Sequence, residues 1–597
     1  MTISYVLDFS EYNSHLVKAT LTLDAPTDNP ILWLPTWLAG SYLIREFSKN
    51  VSVVHYQGEN GIKKRAEKLA KNRWQLTAKK GEMLQASYEI YCYDLSVRTA
   101  YVDSERIFGN FSSLLLQVEN LPDAACQVHL DVPFDFFKEK ADHRRVELAT
   151  GLPFTESKTA THHRYSFDSL PSGAALGSFE ALDFPFEIAR QSVFAFDIQC
   201  QDKTAPHRFF ISGVENSDHE RLKRDVKKIC QCYADNLGWL PFSDYTFMTH
   251  ATKNDYGGLE HINSTALVTP REDLPSFNEP ALPTDNYQRF LGLCSHEYFH
   301  AWWVKSVRPD VMMTSDLQSE AYTPLLWVFE GFTSYIDDLM LYRSGIVTQE
   351  DYLKLLSAQI TRYYNTDGSH HQSVAESSFD AWIKLYRPDE NSQNATVSYY
   401  NKGALVALGL DLLLIKHGKR LFDVVRHFVN IAKTAENRRF GMSEAGLDEL
   451  LFEFLGKAVW QDFKDRYITG VEPLPLEAWL LDVGVVLTLK GCDSEPFGIS
   501  FEQNASGLAI KRIRPNSSAA KSGLSALDTL IAINGLKADA AALKKAREQA
   551  QHAITVHAFR RDVLLTFTLN ADNNNQSVAR TLLTGTADER WLEKTDL

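Results

Sequence analysis

Apolar and polar residues alternate with a period of two in several segments of the first 200 residues, such as HLVKATLTLDA, MLQASYEIYCY and CQVHLDVP. Successive side chains of a strand point to opposite faces of a sheet, so this alternation is typical of strands that bury one face. The pattern predicts a mostly antiparallel β domain over residues 1–200.

The period changes to that of a helix at Asp218, and Gly238 follows as a C-cap. The apolar residues on one face of this helix are Leu222, Val226, Ile229, Tyr233 and Leu237. A mixed α and β domain is therefore predicted for 201–400, followed by an α-helical domain over 401–484. Further helices are predicted at 287–306, 324–342, 349–364, 400–417, 420–434 and 443–456.

The segment VEPLPLEAWLL is typical of a connector, and FGISFEQNASGLAIKRIRPN after it returns to the strand pattern. We expect a compact β-rich domain over 485–572 and a polar tail over 573–597. The predicted fold class is thus multidomain α+β.

Composition agrees with this picture, since 44% hydrophobic and 23% charged residues are ordinary for a folded protein of three or four domains. No run of 18 uncharged apolar residues occurs, so no membrane span is expected. The start, MTISYVLDFSEYNSH, lacks the basic and apolar parts of an export signal, so a cytoplasmic location is expected. A formal net charge of −14 argues against a nucleic-acid partner.

The seven cysteines form no paired framework, which suits a reducing compartment. Cys230 and Cys232 are close enough in sequence to suggest a pair of metal ligands, but no second pair of cysteines follows them. We interpret the cysteines as small buried side chains.

The segment SHEYFHAWW places three ionisable side chains on an otherwise apolar helix. His296 and His300 are four residues apart, so their imidazoles share one helical face and can chelate one metal ion. Catalytic zinc usually takes three protein ligands. Glu330 is the candidate third ligand, because it lies in the apolar segment LLWVFEGFTSYIDDL, where an unpaired carboxylate would be costly.

Glu297 cannot share the ligand geometry of its neighbour His296, so it is free to accept a proton from a water on the metal. A bound cation lowers the pKa of that water from about 15.7 to about 7, which allows attack on a carbonyl. The alternative is chance, since a pattern with three fixed letters also occurs in unrelated long proteins.

HEYFHAWWVKSVRP, followed by LLWVFEGFTSY, resembles the glycyl aminopeptidase family, which are gluzincin metallopeptidases with a PDZ module. LPTWLAGSYLIREF and YDLSVRTAYVDSERIFGN are similar to further segments of that family, and the resemblance covers nearly the whole chain. It implies a thermolysin-like catalytic domain over 201–400, one zinc ion per chain, and removal of small N-terminal residues such as glycine or alanine.

Two site roles come from the resemblance alone. NDYGGLEH resembles the clan's glycine-rich strand, which implies that Glu260 binds the substrate's α-amine beside Gly257 and Gly258. SYYNKGALV resembles the clan's tyrosine motif, which implies that Tyr400 donates to the oxyanion, with Tyr399 as the adjacent competitor. Without the resemblance, the glycines are equally consistent with a turn and the tyrosine with a helix start.

The chain departs from the family pattern at two positions near the site. Trp303 stands where the family often has asparagine, and Ala39 stands where a proline often precedes Gly-Ser-Tyr. Neither changes the metal ligands, but the side-chain preference at the first substrate position does not transfer.

PFGISF resembles the carboxylate-binding loop of a PDZ domain, with Phe497, Gly498 and Ile499 at the loop. AAKSGLSALDTLIAING is similar to the later part of that fold, although Ala526 replaces a common glycine. Three uses stay open for this PDZ-like domain: binding the C-terminus of a peptide substrate, binding a partner, or packing against the helical domain.

The leading hypothesis is a zinc aminopeptidase that acts on peptides with a free N-terminus. An endopeptidase of the same clan is the alternative if Glu260 does not face the cleft. A peptide-binding PDZ scaffold with a structural zinc site is a third hypothesis. The natural substrate, the oligomeric state and the metal used in the cell are not predicted.

Overall fold

The computed structural model describes residues 3–121, 124–138, 140, 142–492, 495–549, 553–570 and 578–593. The strands of the N-terminal part are β1 (Ile3–Asp8), β2 (Leu16–Asp24), β3 (Ile31–Trp33), β4 (His55–Gln57), β5 (Lys64–Arg65), β6 (Glu67–Ala70), β7 (Arg73–Gln75), β8 (Met83–Tyr91), β9 (Ala100–Val102), β10 (Arg106–Asn110), β11 (Gln117–Val118), β12 (Cys126–Pro133), β13 (Val146–Thr150), β14 (Thr155–Lys158) and β15 (His162–Phe167).

An eight-stranded sheet in the order β14-β15-β12-β1-β2-β8-β4-β5 and a four-stranded sheet in the order β11-β3-β7-β6 make up most of this N-terminal β domain. Their pairs are antiparallel except that β1 lies parallel to β12. Alternate residues of β2 and β8 are buried, which confirms the two-residue period as the signal of half-buried strands. The predicted β domain is therefore present.

A second eight-stranded sheet connects this domain to the next one. Its later strands are β16 (Pro185–Cys200), β17 (Lys203–Ser212), β18 (Tyr245–Thr252), β19 (Gly257–Glu260) and β20 (Ser264–Pro270). The first half of β16 pairs with β10 and β13, and its second half pairs with β17. The sheet then continues through β18 and β20 to β19, which forms its edge. One long strand therefore belongs to both domains.

The central part of the chain is mainly helical. Its elements are α1 (His219–Leu237), α2 (Asp285–Phe299), β21 (Val307–Pro309), α3 (Phe332–Arg343), α4 (Gln349–Tyr364), α5 (Val374–Phe379), α6 (Ser392–Ala395), α7 (Asn401–Lys416), α8 (Leu421–Thr434), β22 (Phe440–Met442), α9 (Glu444–Leu455), α10 (Lys457–Tyr467) and α11 (Leu476–Leu481). Each helix predicted from the period is present, and α5, α6, α10 and α11 are additional. Helix α1 ends at Leu237, and the φ of 63° at Gly238 confirms the predicted C-cap.

The predicted division between residues 400 and 401 does not separate two cores. A single hydrophobic core contains buried residues from both sides of it, such as Tyr335 and Leu410. The same core takes in Trp37 and Tyr42 from the N-terminal domain and Trp591 from the far end of the chain. The catalytic and helical regions therefore form one packed body.

The C-terminal elements are β23 (Val485–Cys492), β24 (Ile499–Asn504), β25 (Gly507–Ile513), α12 (Ser518–Ser522), β26 (Thr529–Ile533), β27 (Leu536–Lys537), α13 (Ala540–Gln549), β28 (Ile554–Arg560), β29 (Val563–Leu569) and β30 (Val578–Gly585). A sheet in the order β24-β25-β26-β28-β29, with β27 on β26, surrounds a separate small core.

Strands β23 and β30 pair with each other at the base of this C-terminal domain. Ser357 of α4 and Thr581 of β30 exchange hydrogen bonds, and Trp591 is fully buried and donates from Nε1 to the Tyr335 hydroxyl. The described part of the segment 573–597, which the composition sets apart as a polar tail, thus contacts the helical core. Residues 573–577 and 594–597 lie outside the described residues.

Two sequence expectations concern the rest of the chain. Within its described residues, no helix has the length and apolar character needed to cross a membrane. Cys230 and Cys232 are buried and form no disulfide, and neither belongs to a candidate metal group among the described residues.

Candidate active site

His296 and His300 lie at the C-terminal end of α2. The helix ends at Phe299, earlier than predicted, and His300 is its C-cap residue. The two imidazole rings are nevertheless adjacent, with centroids 4.6 Å apart. The four-residue spacing therefore produces the expected pair of neighbouring nitrogen donors.

Glu330 reaches the same point from a π-helical turn, Trp327–Gly331, that leads into α3. Its Oε2 lies 3.5 Å from His296 Nε2 and 3.2 Å from His300 Nε2. Single π-helical turns occur often at functional sites, because they redirect one side chain within a helix. The structure brings the three predicted ligands together.

Partners on the outer side of each ligand fix its orientation. His296 Nδ1 lies 2.8 Å from Asp337 Oδ2, and His300 Nδ1 lies 3.0 Å from the Trp303 carbonyl oxygen. Both acceptors favour a proton on Nδ1, which leaves the Nε2 lone pairs facing Glu330. The Tyr42 hydroxyl donates to Glu330 Oε1 over 3.1 Å.

The donor set fits a divalent cation such as zinc. One donor atom from each of His296, His300 and Glu330 lies within 4.8 Å of the others. Burial would raise the pKa of Glu330, but the imidazoles of His300 and His296 outweigh burial and hold that pKa below its usual range. Two nitrogens and one carboxylate, all with outer-side partners, are the kind of ligands that catalytic zinc sites use.

Glu297 faces the cleft from the same turn of α2. Burial, together with the nearby Glu260 and against the charge of His296, raises the pKa of Glu297 to about 7. Its carboxylate packs on the backbone of Gly258, where a Cβ atom would lie 2.2 Å from Oε1. Only glycine leaves room for the carboxylate at this position of β19.

Glu260 faces the same cleft, because its carboxylate lies within 4.8 Å of donor atoms of Glu297 and His300. It is 3% exposed, and its Oε1 has no hydrogen-bond partner among the described residues. A Cβ at Gly40 of the N-terminal domain would lie 2.3 Å from that oxygen. The loop of Gly40 therefore closes the Glu260 end of the cleft. Gly257 and Gly258 lie in strand β19 rather than in a turn.

Tyr400 is the N-cap residue of α7 and lines the cleft beside His296, with the two ring centroids 6.4 Å apart. Tyr399 is fully buried. The Tyr386 hydroxyl lies 2.7 Å from the Tyr400 hydroxyl and 3.2 Å from that of Tyr399. Burial and the charge of Glu330 raise the pKa of Tyr400 well above its usual value, so its hydroxyl stays protonated and can donate.

The cleft has a volume of about 630 Å³ and is lined by both the N-terminal domain and the helical body. Sequence reasoning missed Tyr42, Arg98, Asp337 and Tyr386, all of which line or support the site. Tyr42 and Arg98 lie in the segments that carry the family resemblance. Asp337 lies two helical turns after Glu330, a spacing that places both on one helical face.

The proposed carboxylate loop of the C-terminal domain lies far along the chain from this site. Phe497 is buried, Gly498 has a φ of 80°, and Ile499 opens the edge strand β24. The Gly498 carbonyl accepts from the backbone N–H of Arg514, and the Arg514 guanidinium forms an ion pair with Asp367. The C-terminal domain is thus anchored on the segment that precedes Tyr400.

Comparisons with known proteins agree with this site. Residues 289–406 match the model of the M61 glycyl aminopeptidase family, and residues 4–172 match that of the Peptidase M61 N-terminal domain. A crystal structure of an aminopeptidase N family protein from Idiomarina loihiensis is 33% identical, with a TM-score of 0.87 over 99% of each chain.

A more distant solved structure resembles the fold. Legionella pneumophila aminopeptidase A, in complex with aspartic acid, is 12% identical with a TM-score of 0.51 over 98% of this chain and 58% of its own. An M1 zinc metallopeptidase from Deinococcus radiodurans is 15% identical with a TM-score of 0.49 over 80% and 95%. No match was found among curated proteins.

Proposed function

The chain belongs to the M61 glycyl aminopeptidase family, and on that basis we propose that it is a zinc-dependent aminopeptidase. It removes the first residue from peptides with a free N-terminus. The observation that carries this proposal is the buried carboxylate of Glu260 beside Glu297 and His300. An unpaired carboxylate at the closed end of a cleft is suited to an ammonium group.

In this proposal His296, His300 and Glu330 hold one zinc ion. When bound, zinc acts as a Lewis acid that polarises the scissile carbonyl and makes water acidic. Glu260 binds the α-ammonium group and so sets which bond lies at the reacting position. Glu297 accepts the proton of the attacking water at its carboxylate and passes it to the leaving nitrogen. The Tyr400 hydroxyl donates to the carbonyl oxygen as negative charge develops there.

Glycine or alanine at the first position is the finer part of the proposal. The close approach of Gly40 to the Glu260 carboxylate supports it, because backbone occupies the space next to the bound amine. A panel of aminoacyl amides with increasing side-chain size tests this preference. Faster cleavage of leucine or phenylalanine amides than of alanine amide would contradict it.

Glu297→Gln tests the catalytic assignment. The amide keeps nearly the same shape but cannot take a proton, so we expect kcat for alanine amide to fall by about 10²-fold or more. Zinc content, measured by atomic absorption after gel filtration, stays at that of the wild type. Full activity in this variant would refute the mechanism.

Glu260→Gln tests amine recognition, which separates an aminopeptidase from an endopeptidase of the same clan. We expect the wild type to cleave Ala-Ala-amide and to leave N-acetyl-Ala-Ala-amide intact. The variant loses most of kcat/KM for the free amine and keeps its zinc. Equal cleavage of both peptides by the wild type would favour the endopeptidase.

We also propose that the C-terminal domain is PDZ-like and binds the C-terminus of an extended peptide. Support comes from β24, an edge strand that follows the Pro496–Gly498 turn. Such an edge accepts an added strand while the loop N–H groups hold a carboxylate. Fluorescence anisotropy with peptides that end in a free acid or an amide tests this, and equal binding would contradict it.

A further inference from the structure

Arg98 brings a positive charge from the N-terminal β domain into the cleft. Its Nη2 donates to the Gly258 carbonyl oxygen over 2.9 Å, and its Nη1 lies 3.8 Å from the position of a Cβ on Gly257. The side chain is only partly buried, so part of the guanidinium faces the cleft. The Arg98 guanidinium therefore lies against the two glycines of strand β19, Gly257 and Gly258.

The charge of Arg98 interacts with the Glu297 carboxyl, but the two groups do not form an ion pair. Among the described residues, no carboxylate forms an ion pair with it, and its Nε is buried without a hydrogen-bond partner. Arg289 lines the same cleft, but it donates from Nε and Nη2 to the two oxygens of Asp273. Arg98 therefore differs from its neighbour in having charge left for a ligand.

The positive charge of Arg98 also acts on a second arginine, Arg45. Burial and the charge of Arg98 lower the pKa of Arg45 to about 10. Arg45 itself donates from Nε to Ser41 Oγ and not to a carboxylate. Two neighbouring cations, neither of which is hydrogen-bonded to a carboxylate of the described residues, favour an anionic ligand nearby.

The groups along β19 are separated by about the length of a short peptide. Glu260 is the last residue of the strand, Glu297 packs on Gly258 two residues earlier, and Arg98 binds the carbonyl of that same Gly258. Two residues of strand span about 6 to 7 Å. A dipeptide in extended form covers about the same length from its amine to its carboxylate.

We propose that Arg98 binds a carboxylate on the leaving-group side of the scissile bond. The carboxylate belongs either to the free C-terminus of a dipeptide or to an acidic side chain at the second substrate position. The inference rests on the proposed aminopeptidase activity, because Glu260 must hold the amine for the carboxylate to reach Arg98. It makes Arg98 a specificity residue.

Two substrate pairs distinguish the sources of the carboxylate. Ala-Ala against Ala-Ala-amide reports on the C-terminal carboxylate, and Ala-Glu-amide against Ala-Gln-amide reports on the side chain. A charge-assisted hydrogen bond of this kind gives roughly 10- to 100-fold in kcat/KM. We expect the wild type to prefer the charged member of at least one pair by about that factor.

Arg98→Gln removes the charge, and Arg289→Gln is the matched control because it removes a cleft arginine already paired with Asp273. We expect the preference for the charged substrate to fall to about one in the first variant and to persist in the second. Arg98→Lys restores part of it. A purely structural role for Arg98 would lower kcat/KM for both members of a pair equally and leave their ratio unchanged.

A wild type that cleaves the amides but shows neither preference overturns the inference, as does a preference that survives Arg98→Gln. Both results leave the aminopeptidase proposal standing. If instead no peptide with a free amine is cleaved by the zinc-loaded wild type, the proposed function itself fails.

Discussion

Tyr42 orients a predicted metal ligand through a single hydroxyl from another domain. It lies in the N-terminal domain, 288 residues before Glu330 in sequence, yet it is fully buried and donates to Glu330 Oε1. With this oxygen held by Tyr42, the other carboxylate oxygen, Oε2, faces the two imidazoles. Outer partners of this kind orient a ligand and tune its affinity for metal.

Tyr42→Phe is therefore expected to weaken zinc binding by about 10- to 100-fold. Competition with a chromophoric chelator measures the change. Tyr88→Phe is the control, since it removes a buried tyrosine hydroxyl that donates to the Leu114 carbonyl, in the core of the N-terminal domain. Equal zinc affinity in the wild type and Tyr42→Phe would show that the hydroxyl does not support the ligand.

Which site residues the sequence predicts depends on how local their spacing is. His296 and His300 share one helix, so a four-residue spacing is enough to pair them. Arg98 and Tyr42 reach the site only through the packing of two domains, and no local pattern encodes that contact. The resemblance identified their segments, but spacing alone did not indicate which side chain enters the cleft.

At the scale of elements, the π-helical turn before α3 depends on close contact with α7. A Cβ at Gly331 would lie 2.8 Å from the carbonyl carbon of Gly403 and 3.1 Å from the Tyr399 carbonyl oxygen. These are backbone atoms, which cannot move aside as a flexible side chain can. Glu330 and Tyr400 are thus fixed relative to each other by a pair of facing glycines.

Gly331→Ala is expected to destabilise the protein by about 1 to 3 kcal/mol, as overpacking usually does. Because Glu330 is adjacent, zinc affinity falls as well. Thermal unfolding with and without added zinc measures both effects. Gly292→Ala in α2 is the control, since its nearest neighbour would be an ordinary contact at 3.6 Å. An unchanged midpoint in Gly331→Ala would contradict the packing argument.

The helix around the histidines shows a limit of periodicity. The segment 287–306 is apolar on nearly every face, so its pattern does not show where α2 ends. In the structure it ends at Phe299, after which Trp302 donates to the Trp239 carbonyl and Trp303 donates to that of Val328. The indoles of Trp302 and Trp303 are adjacent in sequence but bond to carbonyls in different parts of the fold. A turn at this point, rather than a continued helix, allows both bonds.

At the scale of the whole molecule, the chain leaves the helical core at β23, builds the C-terminal domain, and returns through β30 to Trp591. The composition of 573–597 gives little sign of this return, because only a few apolar side chains carry it. The buried apolar residues among its described part are Leu583, Ala587, Trp591 and Leu592. The polar composition therefore predicted a tail, but the structure has strand β30 and the buried Trp591 in this segment.

Trp591→Ala is expected to cost about 3 to 5 kcal/mol, the usual range for a large buried aromatic residue. The loss should appear as a lower midpoint of thermal unfolding for the helical body and as reduced peptidase activity at elevated temperature. Leu582→Ala on β30 is the control, because Leu582 is 44% exposed. If both variants unfold at the wild-type temperature, the terminal segment is not an anchor.

This return has a consequence for how the protein is made. Domains generally fold from the N-terminus as the ribosome synthesises them. Here the core beside Glu330 lacks Trp591 until the segment after β30 has left the ribosome. A nascent chain in which this segment is still inside the ribosome therefore carries an incompletely packed helical core.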